Sequence, residues 1–379
     1  MTSRKPRILV ISPAGRVVDH DNVEWYHNTH DQLLDRYFNI GDMVVFDSTL
    51  KLIDYAEVDA MEIVNPTDAD IERYKGYDFA IVRASNFVHN GANFHRAAEI
   101  IEKIKIPVYC TGVGGQSADD RPYLLNAENL RFWQTVAASS NLIGVRGTFS
   151  AEVFYHNGIK NVEICGCPSI FRTRNPNLQI KPRSPIENIA VSLRREVSST
   201  YTSDVAGYLS MQRNLLVSAD DRYAITFTSH GEQEEKAFFF KDAARIERAE
   251  QAFAESGWFS DDNRDQMRDI YMNRHFFFLK VADYDRFIRS KDFAIGMRVH
   301  GVLPALANGV PAALIAYDSR SQELADTHAI PTLKLADAAR MTAQEMIDSV
   351  SFDAFNKLYP LRYEKMKFIH EANGIPHRM

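Results

Sequence analysis

The feature that most constrains this chain is an alternation of two periodicities. Short β-branched and apolar runs recur between segments with helical spacing, and most runs end in glycine, proline or small polar residues. Residues 7–12 form one such run, which closes on Pro13, Ala14 and Gly15. Residues 79–83 form a second, followed by a polar loop over 84–93 and a helical pattern over 94–104. Runs at 108–111, 143–146 and 162–165 continue the series, with a helix over 148–157 that Gly158 stops. Strands alternating with helices predict parallel βαβ units.

The pattern lapses between residues 171 and 188. That stretch holds Pro176, Pro182 and Pro185 and few apolar side chains, the composition of an inter-domain connection. A second alternation then begins. Strands are expected over 189–193, 223–227, 276–279, 293–295 and 312–317. Helices are expected over 204–218, 284–290 and 303–308, with one long charged helix over 233–255. Residues 342–373 read as helical with a break at Pro360, and Phe352, Phe355, Leu358, Tyr359 and Tyr363 give an apolar face. At about 150 residues per domain, a length of 379 fits two domains and an extension. The expected fold class is α/β: two Rossmann-like, doubly wound domains facing across a cleft, with a C-terminal helical segment. The first spans residues 1–171, a linker 172–188, the second 189–335, and C-terminal helices over 336–379 pack back across the junction.

Charge excludes one class of partner. With 44 basic and 50 acidic side chains the formal charge is −6, so the many cations that sequence-independent nucleic-acid binding needs are not in excess. A local cationic pocket for a small anion is still allowed. The three cysteines, Cys110, Cys165 and Cys167, are too few for a disulfide framework. Cys165 and Cys167 leave one residue between them rather than the two to four of zinc sites, and read as small buried residues at a strand end. No metal-ligand cluster is visible. The apolar run after the basic start is too short for a secretory leader, and no window reaches the ~20 apolar residues of a membrane span. A reducing cytoplasmic setting is expected, which is compatible with peripheral association at a membrane surface.

In open α/β sheets, ligands bind beyond the carboxyl ends of the strands. The densest polar signal there is Ile295-Gly296-Met297-Arg298-Val299-His300-Gly301. Read as extended, it puts Arg298 and His300 on one side. A guanidinium fork and an imidazole together match a phosphate or carboxylate. Gly296 and Gly301 permit close backbone approach, and a helix starting near Val302 would add its N-terminal dipole. A paired structural arginine with a hydrogen-bonded histidine is the alternative. Asp42 sits where a helix begins and reads either as its N-cap or as a catalytic group that orients or deprotonates a hydroxyl. Arg146 serves an anion or a structural carboxylate, with structure favoured. Ser229-His230-Gly231-Glu232, at another carboxyl end, reads either as lining the cleft or as an ordinary polar loop, with the loop favoured. Trp258 and Phe259, beside Gly257 and Asp261, lie in a less regular stretch and are the candidates for a mobile lid.

The stretch from Ile295 to Gly301, followed by Ala305-Leu306-Ala307-Asn308-Gly309-Val310-Pro311 and Ala316-Tyr317-Asp318, resembles the C-terminal signature of the polysaccharide pyruvyl transferase family. Earlier pieces agree in order. Asn39-Ile40-Gly41-Asp42 is similar to that family's Asn-x-Gly-Asp loop. Gly112-Val113-Gly114-Gly115-Gln116 resembles its glycine loop, Val145-Arg146-Gly147 its central block, and Val191-Ser192-Leu193-Arg194 the opening strand of its second domain. The resemblance runs in patches from about residue 39 to 335. It departs from the family where residues 84–90 lack a glycine-rich run, and where Cys167 stands in place of an aspartate before Pro168.

The resemblance implies a GT-B-like fold and transfer of a pyruvyl group from phosphoenolpyruvate onto two hydroxyls of a saccharide, giving a cyclic ketal in surface polysaccharide synthesis. It implies donor-site roles for Arg298 and His300, with Arg194 as a second cation. The acceptor, a saccharide or lipid-linked oligosaccharide, would meet the first domain, where Asn39, Gly41, Asp42 and Asn86 are the candidates. Such chemistry needs a general acid–base with a pKa near neutrality, for which His300 is the candidate, and it demands no metal and no cofactor, phosphoenolpyruvate being itself a substrate. A GT-B glycosyltransferase with a nucleotide-sugar donor is the competing reading, and a non-catalytic sugar- or anion-binding protein a third. Neither the acceptor sugar nor the oligomeric state is legible.

Overall fold

The computed structural model describes residues 4–36, 38–92, 94–117, 121–195 and 204–379. Strand β1 (Arg7–Ile11) is followed by an antiparallel hairpin, β2 (Arg16–Asp19) and β3 (Asn22–Glu24). With β4 (Glu57–Ala60), β5 (Phe79–Val82) and β6 (Val108–Cys110), β1 forms a parallel sheet in the order β4-β1-β5-β6. β7 (Ile143–Val145) and β8 (Val162–Ile164) pair in parallel, and a bridge from Val113 to Val145 ties them to that sheet.

The second domain holds β9 (Asn188–Ser192), β10 (Ala224–Thr228), β11 (His275–Phe276), β12 (Phe293–Gly296), β13 (Ala312–Ala316) and β14 (Thr332–Lys334). All its described pairings are parallel and the order is β11-β10-β9-β12-β13-β14, which in chain order within the sheet is the 3-2-1-4-5-6 of a Rossmann fold. The chain therefore comprises two Rossmann-like α/β domains facing across a cleft, with a C-terminal helical segment. The central strands read as unbroken apolar runs because helices cover both faces. Ile8–Ile11, Phe79–Val82 and Ala312–Ala316 are buried throughout.

Several elements differ from the sequence reading. The charged helix expected over 233–255 is two helices, Gln233–Phe239 and Ala243–Glu255. Lys241 takes a left-handed backbone (φ 58°), and Asp242 caps the second helix through Arg245 N–H. The helix expected from 303 begins at Val299, so Arg298 keeps an extended backbone at its N-cap (φ −83°, ψ 110°) while His300 lies in the helical first turn rather than in an extended stretch. Asn39, not Asp42, caps the helix Ile40–Leu52, and its side chain accepts from Gly41 N–H at 3.0 Å. The C-terminal segment breaks between the helices Ala343–Asp348 and Asp353–Ala372, while Pro360 sits inside the latter. Proline frees the carbonyl four residues earlier, and here Gln179 donates its side-chain amide to Asn356 O at 3.4 Å. Trp258 and Phe259 are core, each 2% exposed, and Trp258 Nε1 donates to Tyr271 O–H at 2.8 Å. They form no lid.

The domains are joined by buried polar contacts. Helix Ile40–Leu52 is buried on nearly all sides because it lies between them. Arg172, in the stretch read as a linker, is 3% exposed. Its Nε and Nη2 donate to Asp285 at 3.0 and 2.6 Å, its Nη2 to Asp47 at 2.9 Å, and its Nη1 to Ser48 at 2.6 Å. The helix Asp353–Ala372 returns to earlier chain, where Tyr359 and Tyr363 donate to the Asn175 and Arg174 carbonyls. Asn373 Oδ1 accepts from Asn141 and Leu142 N–H. Among the described residues, no helix is long and apolar enough to cross a membrane.

Candidate active site

Both sheets aim their topological switch points at the same cavity. In the second domain the switch lies between β9 and β12, where Ser192 stands opposite Gly296. Gly296 has φ +152°, and a Cβ there would meet Ser192 O at 2.2 Å. This glycine, like Gly301, is required by the neighbouring strand end, and neither lines the cavity. In the first domain the switch lies between β1 and β5. Arg83, just past β5, donates from Nε to Ser12 O at 2.6 Å.

The cavity is narrow, about 40 Å³, and is lined by Asn39, Asp42, Ser85, Asn86, Arg146 and Cys167 of the first half. His230, Arg298, His300 and Arg320 line it from the second. The structure thus brings together Asn39, Asp42, Asn86, Arg298 and His300. Gly41 packs just behind them, and a Cβ there would meet His230 Nδ1 at 2.8 Å. Arg194 follows β9 but turns toward Tyr317, whose hydroxyl it contacts, and pairs with Asp318 at 3.9 Å. It lies beside the cavity rather than in its lining.

Each arginine is held by a carboxylate. Arg298 donates from Nε to Leu193 O at 3.0 Å and forms an ion pair with Glu232. Glu232 in turn accepts from the backbone N–H groups of His230 and Gly231 at 2.9 and 3.1 Å. Arg146 pairs with Glu323 at 2.7 Å and donates to Asn86 Oδ1 at 3.1 Å, so it is both a structural ion pair and a cavity wall. Arg83 faces Asp42 at 3.7 Å, and Ser85 donates to Asp42 at 3.4 Å. Arg320 lies 3.7 Å from Asp318. Paired this way, the guanidiniums keep fixed directions without rearranging.

His300 sits among them. Burial, then Arg320, Arg146, Arg83 and Arg298, pushes its pKa down to about 3. The expectation of a value near neutrality is corrected: the ring is neutral at pH 7. An anion among the same guanidiniums would offset them and raise it. Cys167 Sγ lies 3.8 Å from His300 Nε2 and 3.0 Å from Ser169 Oγ, and burial raises its pKa. A thiol held protonated is a poor nucleophile. All three cysteines are free and buried.

Sequence reasoning misses Arg320, sees Arg83 only as the start of a polar loop suited to a sugar, and favours an ordinary loop over a cleft wall for His230 and Glu232. Their position after β10, at a carboxyl end, was the available signal. Only the fold shows that the Ser229–Glu232 turn reaches the first domain, where Ile40 N–H donates to His230 O at 2.9 Å.

The neutral histidines give a pH prediction. His275, His300 and His328 are lowered to about 3 and His370 to about 4, and His230 well below its usual value, in each case chiefly by burial. Unfolded, each binds a proton near pH 6.5. Below that pH the unfolded state holds more protons, so stability is full above about 6.5 and falls toward pH 3. Each such histidine removes up to about 1.4 kcal/mol per pH unit. Urea midpoints should drop steeply between pH 6.5 and 4.5, and a flat profile would contradict the burial of these rings.

Fold and cavity together define a two-domain α/β protein with an arginine-lined cleft at the switch points of both sheets. The chain belongs to the polysaccharide pyruvyl transferase family, whose model it matches over residues 39–319. It is therefore an enzyme, a pyruvyl transferase of polysaccharide biosynthesis. The match opens on Asn39, at the cavity wall, and ends one residue before Arg320. No curated protein matches the sequence. Among solved structures, the chain is similar to UDP-N-acetylglucosamine 2-epimerase from Rickettsia bellii, at 10% identity and TM-score 0.46, covering 97% of each chain. It is also similar to UDP-GlcNAc 2-epimerase from Neisseria meningitidis bound to UDP-GlcNAc, at 12% identity and TM-score 0.43, covering 97% of this chain and 95% of that one. A third is the S. aureus MnaA–UDP co-structure, at 11% identity and TM-score 0.43, covering 95% and 90%.

Proposed function

We propose that the enzyme takes its pyruvyl group from phosphoenolpyruvate and closes it as a cyclic ketal on two hydroxyls of a saccharide. The observation that carries this reading is the set of guanidiniums around neutral His300: Arg146, Arg298 and Arg320 line the same cavity, and Arg83 acts on the ring from just behind it. Phosphoenolpyruvate carries a phosphate and a carboxylate, which suit forked cations. Among the described lining residues there is no Phe, Tyr or Trp to stack a nucleotide base, which favours this donor over a nucleotide sugar.

The proton balance is closed by the substrates. A proton adds at C3 as the first hydroxyl bonds to C2, the phosphate–oxygen bond to C2 breaks, and the second hydroxyl takes its place. Of the two hydroxyl protons, one ends in the new methyl group and the other on the departing phosphate. His300 carries a proton between these stations, its basicity raised once the donor's anions lie among the arginines. Asp42 faces the acceptor side and orients a hydroxyl. No cofactor enters this scheme.

Calorimetric titration tests the donor. Phosphoenolpyruvate should bind saturably, and a UDP-sugar should bind weakly or not at all. Tight binding of the UDP-sugar with none of phosphoenolpyruvate would overturn the reading in favour of a glycosyltransferase. A second titration probes Gly41. A Gly41→Ala protein should stay folded yet bind phosphoenolpyruvate more weakly, because the added methyl presses on His230, and unchanged affinity would show that this contact gives way freely.

A further inference from the structure

His230 is buried to 1% exposure, yet its Nε2 has no hydrogen-bond partner among the described residues. Buried polar atoms are nearly always satisfied, so an orphaned one needs an explanation. The rest of the residue is tightly fixed. Its backbone N–H is held by Glu232, its carbonyl accepts from Ile40 N–H, and its ring packs against Gly41. The imidazole forms part of the cavity wall beside Arg298 and His300. The guanidiniums of Arg298, Arg194 and Arg320 act on it and disfavour a proton there. A neutral ring in such a place is a weak base but a good N–H donor to an oxyanion.

We propose that His230 is a direct contact of the donor, with Nε2–H donating to a phosphate or carboxylate oxygen of phosphoenolpyruvate. This rests on the donor reading above. It assigns the Ser229–Glu232 turn two tasks on one anion, Glu232 aiming the Arg298 fork and His230 supplying a neutral donor beside it. Because the same turn is bonded to Ile40, it also ties the donor pocket to the Asn39–Asp42 loop of the other domain.

The test is calorimetric titration of phosphoenolpyruvate into the wild type and into His230→Ala, His230→Gln and His230→Asn proteins, each first checked for cooperative unfolding. A hydrogen bond to a charged group corresponds to ~10–100-fold in affinity. The alanine protein should lose that much. Glutamine places its amide nitrogen near the Nε2 position and should recover most of it, whereas asparagine, reaching only toward the Nδ1 position, should not. If the alanine protein fails to fold, the contrast between glutamine and asparagine decides alone. Alanine binding within threefold of wild type, or glutamine and asparagine equally impaired, would overturn the assignment. A wild type that does not bind phosphoenolpyruvate would overturn the donor reading and this contact together, so the two failures are told apart by the wild-type titration.

Discussion

A His300→Ala protein is expected to keep its fold and lose at least ~10²-fold in turnover, read as phosphate release from phosphoenolpyruvate, the low end for removal of a general acid–base. His300 lies in the first turn of the helix Val299–Ala307, with Cys167 Sγ 3.8 Å from Nε2. Removing the ring takes away the group placed among the four guanidiniums. Arg298→Ala should lose as much, and for a second reason: Glu232, 1% exposed, would be left as a buried carboxylate without its ion-pair partner. The two variants should therefore differ in stability while agreeing in activity, with Arg298→Ala the less stable. Turnover unchanged in a folded His300→Ala protein would remove that residue from the mechanism.

The largest effect on stability is expected at Arg172, far from any reacting atom. Its side chain is 1% exposed and bonds Asp47, Ser48 and Asp285, joining a helix of the first domain to one of the second. Replacement by alanine strands two carboxylates in the interior, which costs about 3–5 kcal/mol when one partner of a buried pair is lost. Arg172→Lys should recover little, because a single ammonium cannot serve both carboxylates and the Ser48 hydroxyl with a planar fork. Urea denaturation reads the difference directly. A loss below about 1 kcal/mol would mean that water enters and solvates the pair.

Arg172 also marks the limit of what was legible. A stretch with Pro176, Pro182 and Pro185 looks like a solvated connection, and its composition conceals that its first arginine is among the most buried side chains in the chain. Burial of a charge depends on what other segments bring to it, here Asp47 and Asp285, which lie 125 and 113 residues away. Local pattern carries no trace of either. Pro360 errs the other way: a helix breaker by its own chemistry, it is accepted because Gln179 answers the carbonyl it frees. Trp258 and Phe259 looked mobile beside Gly257, yet Tyr271 and the surrounding phenyl rings enclose them.

The alternation of strand and helix was read in both halves because period and β-branching are properties of neighbouring residues. Asn86, Arg298 and His300 are legible as candidates because they follow strand runs, and in a parallel sheet every such position faces the same edge; Asn39 and Asp42 are legible through their place at a helix start and their Asn-x-Gly-Asp motif. Arg320, His230 and Glu232 have the same local character, yet Arg320 passes unnoticed and the other two read more readily as ordinary loop. What separates cavity wall from outer loop is which strand neighbours which, and that is set by the order β11-β10-β9-β12-β13-β14 and by the docking of the Ser229–Glu232 turn on Ile40. By itself, then, the sequence determined the α/β class, the two-part organisation and the kind of residue at each strand end. Only the tertiary structure decided which of those residues share one cavity, which arginines have carboxylate partners, and how far burial among like charges depresses His300, because each depends on distances between segments remote in the chain.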